Sequence, residues 1–218
     1  AIADVFGYLA QGEPARLRYT DLTEGASAGL AESWAVAGSY NENGEVWVPR
    51  AFAVRKADQG PLASTFVACV VPYGDAPAVT SPVRLPLRAG DGPPLPDSHV
   101  AVQVSLPEGR HDLLLLADAE NPLGLVPAYR RGVPMVQPEW DARCDGEVAW
   151  VRTDPGGRVA AMALARGVAL EVGDVSLKLA HPVDYIELRW DGQAVRVVSG
   201  DPAAISELVV DGRGVIPG

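Results

Sequence analysis

Three acidic side chains near one glycine form the densest group of potential metal ligands in the sequence. Asp141, Asp145 and Glu147 surround Gly146, and carboxylate oxygens are the ligands that Ca²⁺ prefers. The spacing lacks the full D-x-D-x-D-G pattern of a calcium loop, so a solvated turn is the alternative. Calcium is therefore the one cofactor that the sequence suggests, and the sequence predicts no other cofactor.

Aromatic and arginine side chains at strand ends and in loops are candidates for sugar binding. An aromatic ring can stack on the C–H face of a pyranose, and a guanidinium group can bind hydroxyl or carboxylate groups. Core packing is the alternative, and we expect it for Trp34, Trp150 and Trp190. The candidate carbohydrate-binding residues are Trp47, Arg50, Arg55, Tyr73, Arg130 and Trp140.

Several sequence motifs of the common enzyme classes are absent. The chain contains no H-E-x-x-H, P-loop, C-x-x-C or G-x-G-x-x-G pattern. Its histidines are His99, His111 and His181, and we consider His111 with Asp112 and His181 with Asp184 as the candidate acid–base pairs. We assign no catalytic residue, because no second group in the sequence is seen to converge on either of them.

The charge and hydropathy patterns exclude two kinds of partner. The chain has 18 basic and 28 acidic residues, a net charge of −10, and no run of Lys or Arg that could neutralise successive phosphates. Apolar runs such as 113–117 are far shorter than the roughly 20 residues that cross a bilayer. We therefore expect neither a nucleic-acid partner nor a membrane span.

The start of the sequence indicates a processed product or a piece of a longer protein. Ala1 is not preceded by Met, and no signal-type apolar stretch follows it. Cys69 and Cys144 leave both a disulfide and free thiols open. The localisation stays unknown, with a slight preference for a secreted or periplasmic protein.

The elements that must position these residues are β-strands. Asp191-Gly192, Gly173-Asp174 and Asp211-Gly212 supply the positive φ values of tight hairpin turns. We predict an all-β fold, a large antiparallel β-sandwich with many hairpins and little helix. It forms a single unit over 1–218, with a weak subdivision allowed within 121–143. The predicted strands are 45–56, 63–71, 79–88, 99–106, 147–152, 158–164, 183–190 and 194–198.

Four segments between about residues 30 and 175 carry a family resemblance. They are STFVACVVPY at 64–73, DLLLL at 112–116, DGEVAWVR at 145–152 and RVAAMALARGVAL at 158–170. Together they resemble the β-sandwich part of heparinase II/III-like polysaccharide lyases. The last segment is similar to the family pattern G-x-v-x-x-l-x-l-x-x-G-x-x-L.

The resemblance implies an (α/α) toroid followed by an antiparallel sandwich. It implies β-elimination at C5 of a uronate sugar, with the catalytic Tyr, Asn and Arg in the toroid. A further family His at the start of the sheet domain has no match here. We therefore expect this chain alone to be inactive, with an acidic polysaccharide or oligosaccharide and a toroid of the same parent chain as its partners.

Three hypotheses follow. The first is the non-catalytic β-sandwich portion of such a lyase, serving as scaffold and one wall of the glycan cleft. The second is a free-standing carbohydrate-binding module, which would present aligned exposed aromatic residues. The third is an intact lyase or hydrolase that uses His111 or His181 with nearby carboxylates.

Overall fold

The structure is a computed structural model that describes residues 16–37, 44–60, 62–77, 79, 82–118, 133–192 and 194–216. The side chains of 35–37 and 44–46 are outside this description. The chain divides into two compact units, Ala1–Ala78 and Val79–Gly218. The single unit over 1–218 stays a prediction, and most of the subdivision predicted within 121–143 lies outside the described residues.

The smaller unit contains two antiparallel strand pairs among its described residues. Strand β1 (Arg16–Asp21) pairs with β4 (Ala68–Tyr73), and β2 (Ser27–Ala37) pairs with β3 (Gly44–Val54). The segment between β1 and β2 is tied to the start of β4. Thr23 Oγ1 donates to the Val67 carbonyl at 3.2 Å and accepts from the Val67 N–H at 3.0 Å.

The larger unit is an antiparallel sandwich, with two sheets of seven strands each in its described part. This confirms the predicted all-β sandwich, and the described helix is limited to single 3₁₀ turns. The first sheet contains, in order across it, β5 (Pro82–Leu85), β7 (Val100–Ser105), β8 (His111–Leu116), β11 (Val148–Thr153), β12 (Val159–Ala165), β15 (Ile186–Asp191) and β16 (Ala194–Ser199). The second contains β6 (Arg88–Ala89), β9 (Met135–Gln137), β10 (Ala142–Asp145), β13 (Gly167–Val172), β14 (Val175–Val183), β17 (Ile205–Val210) and β18 (Arg213–Gly214).

From β7 onward the chain forms a hairpin in one sheet and then a hairpin in the other. The turns within the hairpins therefore gather at one end of the sandwich, the hairpin end, and the links between sheets gather at the opposite crossover end. Gly173-Asp174 joins β13 to β14, and Asp211-Gly212 joins β17 to β18 with φ values of 51° and 71°. Both turns were predicted from their sequence, and Gly192 follows β15 as expected.

Backbone hydrogen bonds connect successive links at the crossover end. The Ala117 N–H donates to the Glu147 carbonyl at 2.7 Å, and the Glu147 N–H donates to the Ala165 carbonyl at 3.2 Å. The Arg166 N–H donates to the Val183 carbonyl at 2.9 Å. An ion pair between Arg166 Nε and Glu147 Oε2, at 2.9 Å, joins the same links. The crossover end is thus satisfied internally, as backbone polar groups in a packed structure must be.

Two glycines allow the neighbouring links to approach so closely. A Cβ atom on Gly167 would lie 2.6 Å from both the Asp145 carbonyl oxygen and the Gly146 Cα. A Cβ atom on Gly146 would lie 2.5 Å from Leu164 Cδ1. Neither position therefore has room for a side chain, and at Gly167 the obstruction is backbone that cannot rotate away.

The core lies between the two sheets and is formed by alternate residues of their strands. Its fully buried side chains include Leu113, Leu115, Val151, Met162 and Leu164 from the first sheet, and Met135, Cys144, Leu170 and Leu177 from the second. Both cysteines are free thiols. Burial is the main factor that raises the pKa of the Cys144 thiol to about 12. Among the described residues, no helix is long and apolar enough to cross a bilayer.

The three tryptophans expected in the core have different positions. Trp190 packs against the core, as predicted. Trp150 alternates with Ala149 and Val151, which face the core, so its ring lies on the outer face of the first sheet. Trp34 is 55% exposed on β2, so its predicted core position is wrong. Strand alternation, rather than hydrophobicity, decides which of these rings is buried.

We expect Gly167→Ala to destabilise the sandwich by about 3 kcal/mol, because the added methyl group must displace backbone in a packed link. Chemical denaturation followed by tryptophan fluorescence measures the change. Gly214→Ala is the matched control, since its Cβ would meet nothing within 4 Å. A Gly167→Ala protein as stable as the control would contradict the role assigned to this contact.

Candidate functional site

A cleft of about 360 Å³ opens between the two sheets at the hairpin end. The first sheet contributes the ends of β7, β8 and β11, and the second contributes a 3₁₀ turn, Pro138–Trp140, and the β13–β14 turn. Apolar and polar side chains both line it. The residues relevant to binding are Gln103, His111, Glu139, Trp140, Thr153 and Asp174.

Trp140 is held in place at this cleft by two glutamines. Its backbone N–H donates to Gln137 Oε1 at 2.8 Å, which also caps the 3₁₀ turn. Its indole Nε1–H donates to Gln103 Oε1 at 2.7 Å. Gln103 belongs to the first sheet and Gln137 to the second, so the ring of Trp140 is bonded to one sheet and its backbone to the other. A half-buried indole with a fixed orientation can act as a stacking surface.

Gln137 also carries a buried donor that has no partner among the described residues. The side chain is fully buried and lies on the same face of β9 as the core residue Met135. Its Nε2 atom has no hydrogen-bond partner in the described part of the chain. A buried donor without a partner costs free energy, which a bound water or ligand oxygen can recover.

Carboxylates give the cleft an acidic character. Glu139 and Asp174 are exposed and line the cleft, and Asp174 shares a hydrogen bond with Asp211 on the neighbouring hairpin turn. That hydrogen bond, together with the charge of Asp174, raises the pKa of Asp211 above its ordinary value of 3.8. Carboxylates accept hydrogen bonds from hydroxyl groups and repel other anions, so the cleft is suited to the hydroxyl groups of a ligand and not to its carboxylates.

The two histidines considered for catalysis lie at opposite ends of the sandwich. His111 lines the cleft, and its Nδ1 is 3.3 Å from Ser105 Oγ. His181 is exposed near the crossover end, with Nδ1 3.2 Å from the Pro182 carbonyl. The structure therefore does not bring the two histidines together, and in the described residues neither imidazole contacts a carboxylate.

The predicted carbohydrate-binding residues are divided between the two units. Trp140 belongs to the larger unit, whereas Trp47, Arg50, Arg55 and Tyr73 belong to the smaller one. Arg130 lies outside the described residues. On β3, alternation places Trp47 and Arg50 on opposite faces, so they cannot bind one ligand from the same side.

The smaller unit nevertheless presents aromatic surface. Trp47 is directly opposite Trp34 in the β2–β3 pair, and the two side chains are 61% and 55% exposed. Tyr73 lines a cleft of about 570 Å³ together with Tyr19 and Leu30. These rings are a second place where a sugar could stack.

The three carboxylates proposed for calcium are not gathered around one point. Asp141 precedes β10 and Asp145 ends it, so four residues of extended chain, about 13 Å, separate them. Glu147 forms its ion pair with Arg166. In the described part of the chain, no group of three or more His, Cys, Asp or Glu side chains could hold a metal ion.

Sequence reasoning missed Gln103, Gln137 and Asp174 as site residues. The Gly173-Asp174 turn was predicted. The further expectation that the hairpin turns gather at one end of the sandwich would have identified Asp174. The glutamines gave no local signal, because each lies in a strand where a polar residue is expected to face solvent. A scan against protein-family models and a search of the curated proteins both found no match for this chain.

We expect Asp211→Asn to raise the melting temperature at neutral pH. The folded chain holds the Asp211 proton more tightly than the unfolded chain, so the free energy of unfolding falls as pH rises from about 3.8 through the raised pKa. The asparagine side chain does not titrate, so the melting temperature of the variant should change less with pH in the range just above 3.8. Asp191→Asn, at a turn of the other sheet, is the control. A lower melting temperature at neutral pH would contradict this assignment.

Proposed function

We propose that this chain is the non-catalytic β-sandwich portion of a heparinase II/III-like polysaccharide lyase. In the full-length protein it serves as scaffold and as one wall of the glycan cleft, while β-elimination takes place in an (α/α) toroid. The sequence resemblance and the hairpin-end cleft support this proposal.

The observation that carries the proposal is the fixed position of Trp140. Its indole N–H is bonded to Gln103 of the first sheet at 2.7 Å, its backbone N–H is bonded to Gln137 of the second sheet at 2.8 Å, and the residue lines an open cleft. A sugar ring stacks on an indole without distorting it, so a ring fixed in advance loses little entropy on binding. The volume of about 360 Å³ falls within the range of small-molecule sites.

The polar groups of the cleft suit sugar hydroxyls. Glu139 and Asp174 provide acceptors. His111 and Thr153 add groups that can either donate or accept. An aromatic surface beside such groups is typical of carbohydrate recognition, where orientation depends on a few well-placed hydrogen bonds.

A second candidate function is a free-standing carbohydrate-binding module. The exposed Trp34–Trp47 pair favours it, because two aromatic rings side by side on a hairpin form a surface on which an extended glycan can stack. The two candidates differ in where the glycan binds and in whether a toroid is needed.

We expect Trp140→Ala to weaken oligosaccharide binding about tenfold, the loss of one aromatic stacking contact. Calorimetric titration with a panel of uronate-containing and neutral oligosaccharides measures it. Trp47→Ala, which removes an exposed ring of the smaller unit, is the matched control and should bind as the parent chain does. Asp174→Asn tests the same cleft without changing the core, and we expect it also to weaken binding.

Loss of binding in Trp47→Ala alone would favour the free-standing module. Unsaturated uronate products, detected by their ultraviolet absorbance when this chain alone is mixed with the polysaccharides, would contradict the non-catalytic assignment. Melting temperatures of all variants verify that each protein is folded.

A further inference from the structure

The outer face of the first sheet carries a row of five residues on five strands, and four of these residues are charged. Register places Asp112, Arg152, Ala161, Arg189 and Arg196 directly opposite one another on β8, β11, β12, β15 and β16. These residues alternate with core residues of the same strands, so their side chains point away from the core. Three of the chain's 18 basic residues thus lie in one row.

Arg189 and Arg196 form a like-charge pair. Residues directly opposite on neighbouring antiparallel strands have Cβ atoms about 5 Å apart, and like charges in that position are destabilising. Both side chains are exposed. Glu187 Oε1 accepts from Arg189 Nε at 2.8 Å, whereas Arg196 makes no ion pair with any residue that the structure describes. Within the pair, Arg189 is therefore compensated by Glu187, and Arg196 is the member without an ion pair among the described residues, although the chain has a net charge of −10.

The other side of the row is rigid. Arg152 donates from Nε and Nη2 to the two carboxylate oxygens of Asp112, both at 2.7 Å, and lies 5.1 Å from the centre of the Trp150 ring. Ala161, which is only 5% exposed, separates Arg152 from Arg189. The backbones of β11 and β15 are two strand spacings, about 10 Å, apart. The arginine row therefore has one fixed guanidinium group, a small residue, and then the exposed arginine pair.

We propose that the Arg189–Arg196 pair is a carboxylate-binding site for the uronate groups of an acidic oligosaccharide. This inference rests on the proposed function and adds the part of the ligand that the hairpin-end cleft is unsuited to bind, because Glu139 and Asp174 repel anions there. Guanidinium groups bind carboxylates through paired, charge-assisted hydrogen bonds, and a carboxylate between the two arginines removes their repulsion. We infer a carboxylate as the occupant because its negative charge is complementary to the positive charges of the two arginines.

Calorimetric titration of the full chain with tetragalacturonate, and with its methyl ester as the uncharged equivalent, tests this site. The parent chain should bind the acid more tightly than the ester, and added salt should reduce the difference. Arg196→Ala should weaken acid binding about tenfold, the loss of one charge-assisted interaction, and leave ester binding unchanged. Arg143→Ala, an arginine of the second sheet paired with Asp91, is the control and should bind both ligands as the parent chain does.

A second measurement separates loss of the site from loss of the fold. Arg196→Ala removes a like charge, so its melting temperature should not fall, and tetragalacturonate should raise it less than that of the parent chain. Equal acid binding by the parent chain and Arg196→Ala would overturn the site. If the ester binds and the acid has no advantage, this site is wrong and the proposed function stands. If neither ligand binds, both are overturned.

Discussion

Gly146 and Gly167 lie where two successive links between the sheets pass each other, and a Cβ atom on Gly167 would be 2.6 Å from the Gly146 Cα. This close approach fixes the position of β10 relative to β11 and of β12 relative to β13. The neighbouring links then form hydrogen bonds with one another, through Glu147 and Arg166, and the crossover end becomes continuous. Because the described links lie there, the hairpin turns lie at the other end.

The hairpin end is where the fold allows a ligand site. Its turns need only satisfy local geometry, as in the Asp211-Gly212 turn with positive φ at both residues. The two sheets separate beyond their core, and Trp140 connects them there through Gln103. Gln137 Nε2, a buried donor without a partner among the described residues, lies directly before the 3₁₀ turn at this end.

Local features of the fold were predictable from sequence, and long-range ones were not. The Gly173-Asp174 and Asp211-Gly212 turns were predicted because glycine adopts positive φ values without a steric penalty. The alternation of hairpins between two sheets was not, since a hairpin of given sequence can pair in either sheet. Asp141 and Asp145 seemed to form a cluster because they are close in sequence, but strand β10 extends between them. The distance between the two carboxylates depends on the conformation of the chain between them, which their closeness in sequence does not give.

The candidate site shows the same division. Trp140 could be named because a loop aromatic residue is a signal in the sequence, whereas the hydrogen bonds that hold it come from β7 and β9. Arg189 and Arg196 are seven residues apart in sequence and become opposite one another only through the β15–β16 register. Trp150 was expected in the core, and only its alternation with Ala149 and Val151 shows that it faces outward.

The most direct test of this account is native-state hydrogen exchange at the backbone amides of Ala117, Glu147 and Arg166. If the crossover end is the rigid part that positions the cleft, these amides exchange only through global unfolding, with the same free energy as core amides such as Val151. The Gly157 amide, in a turn at the hairpin end, should exchange through local opening. Exchange at Glu147 and Arg166 as fast as at Gly157 would contradict the account.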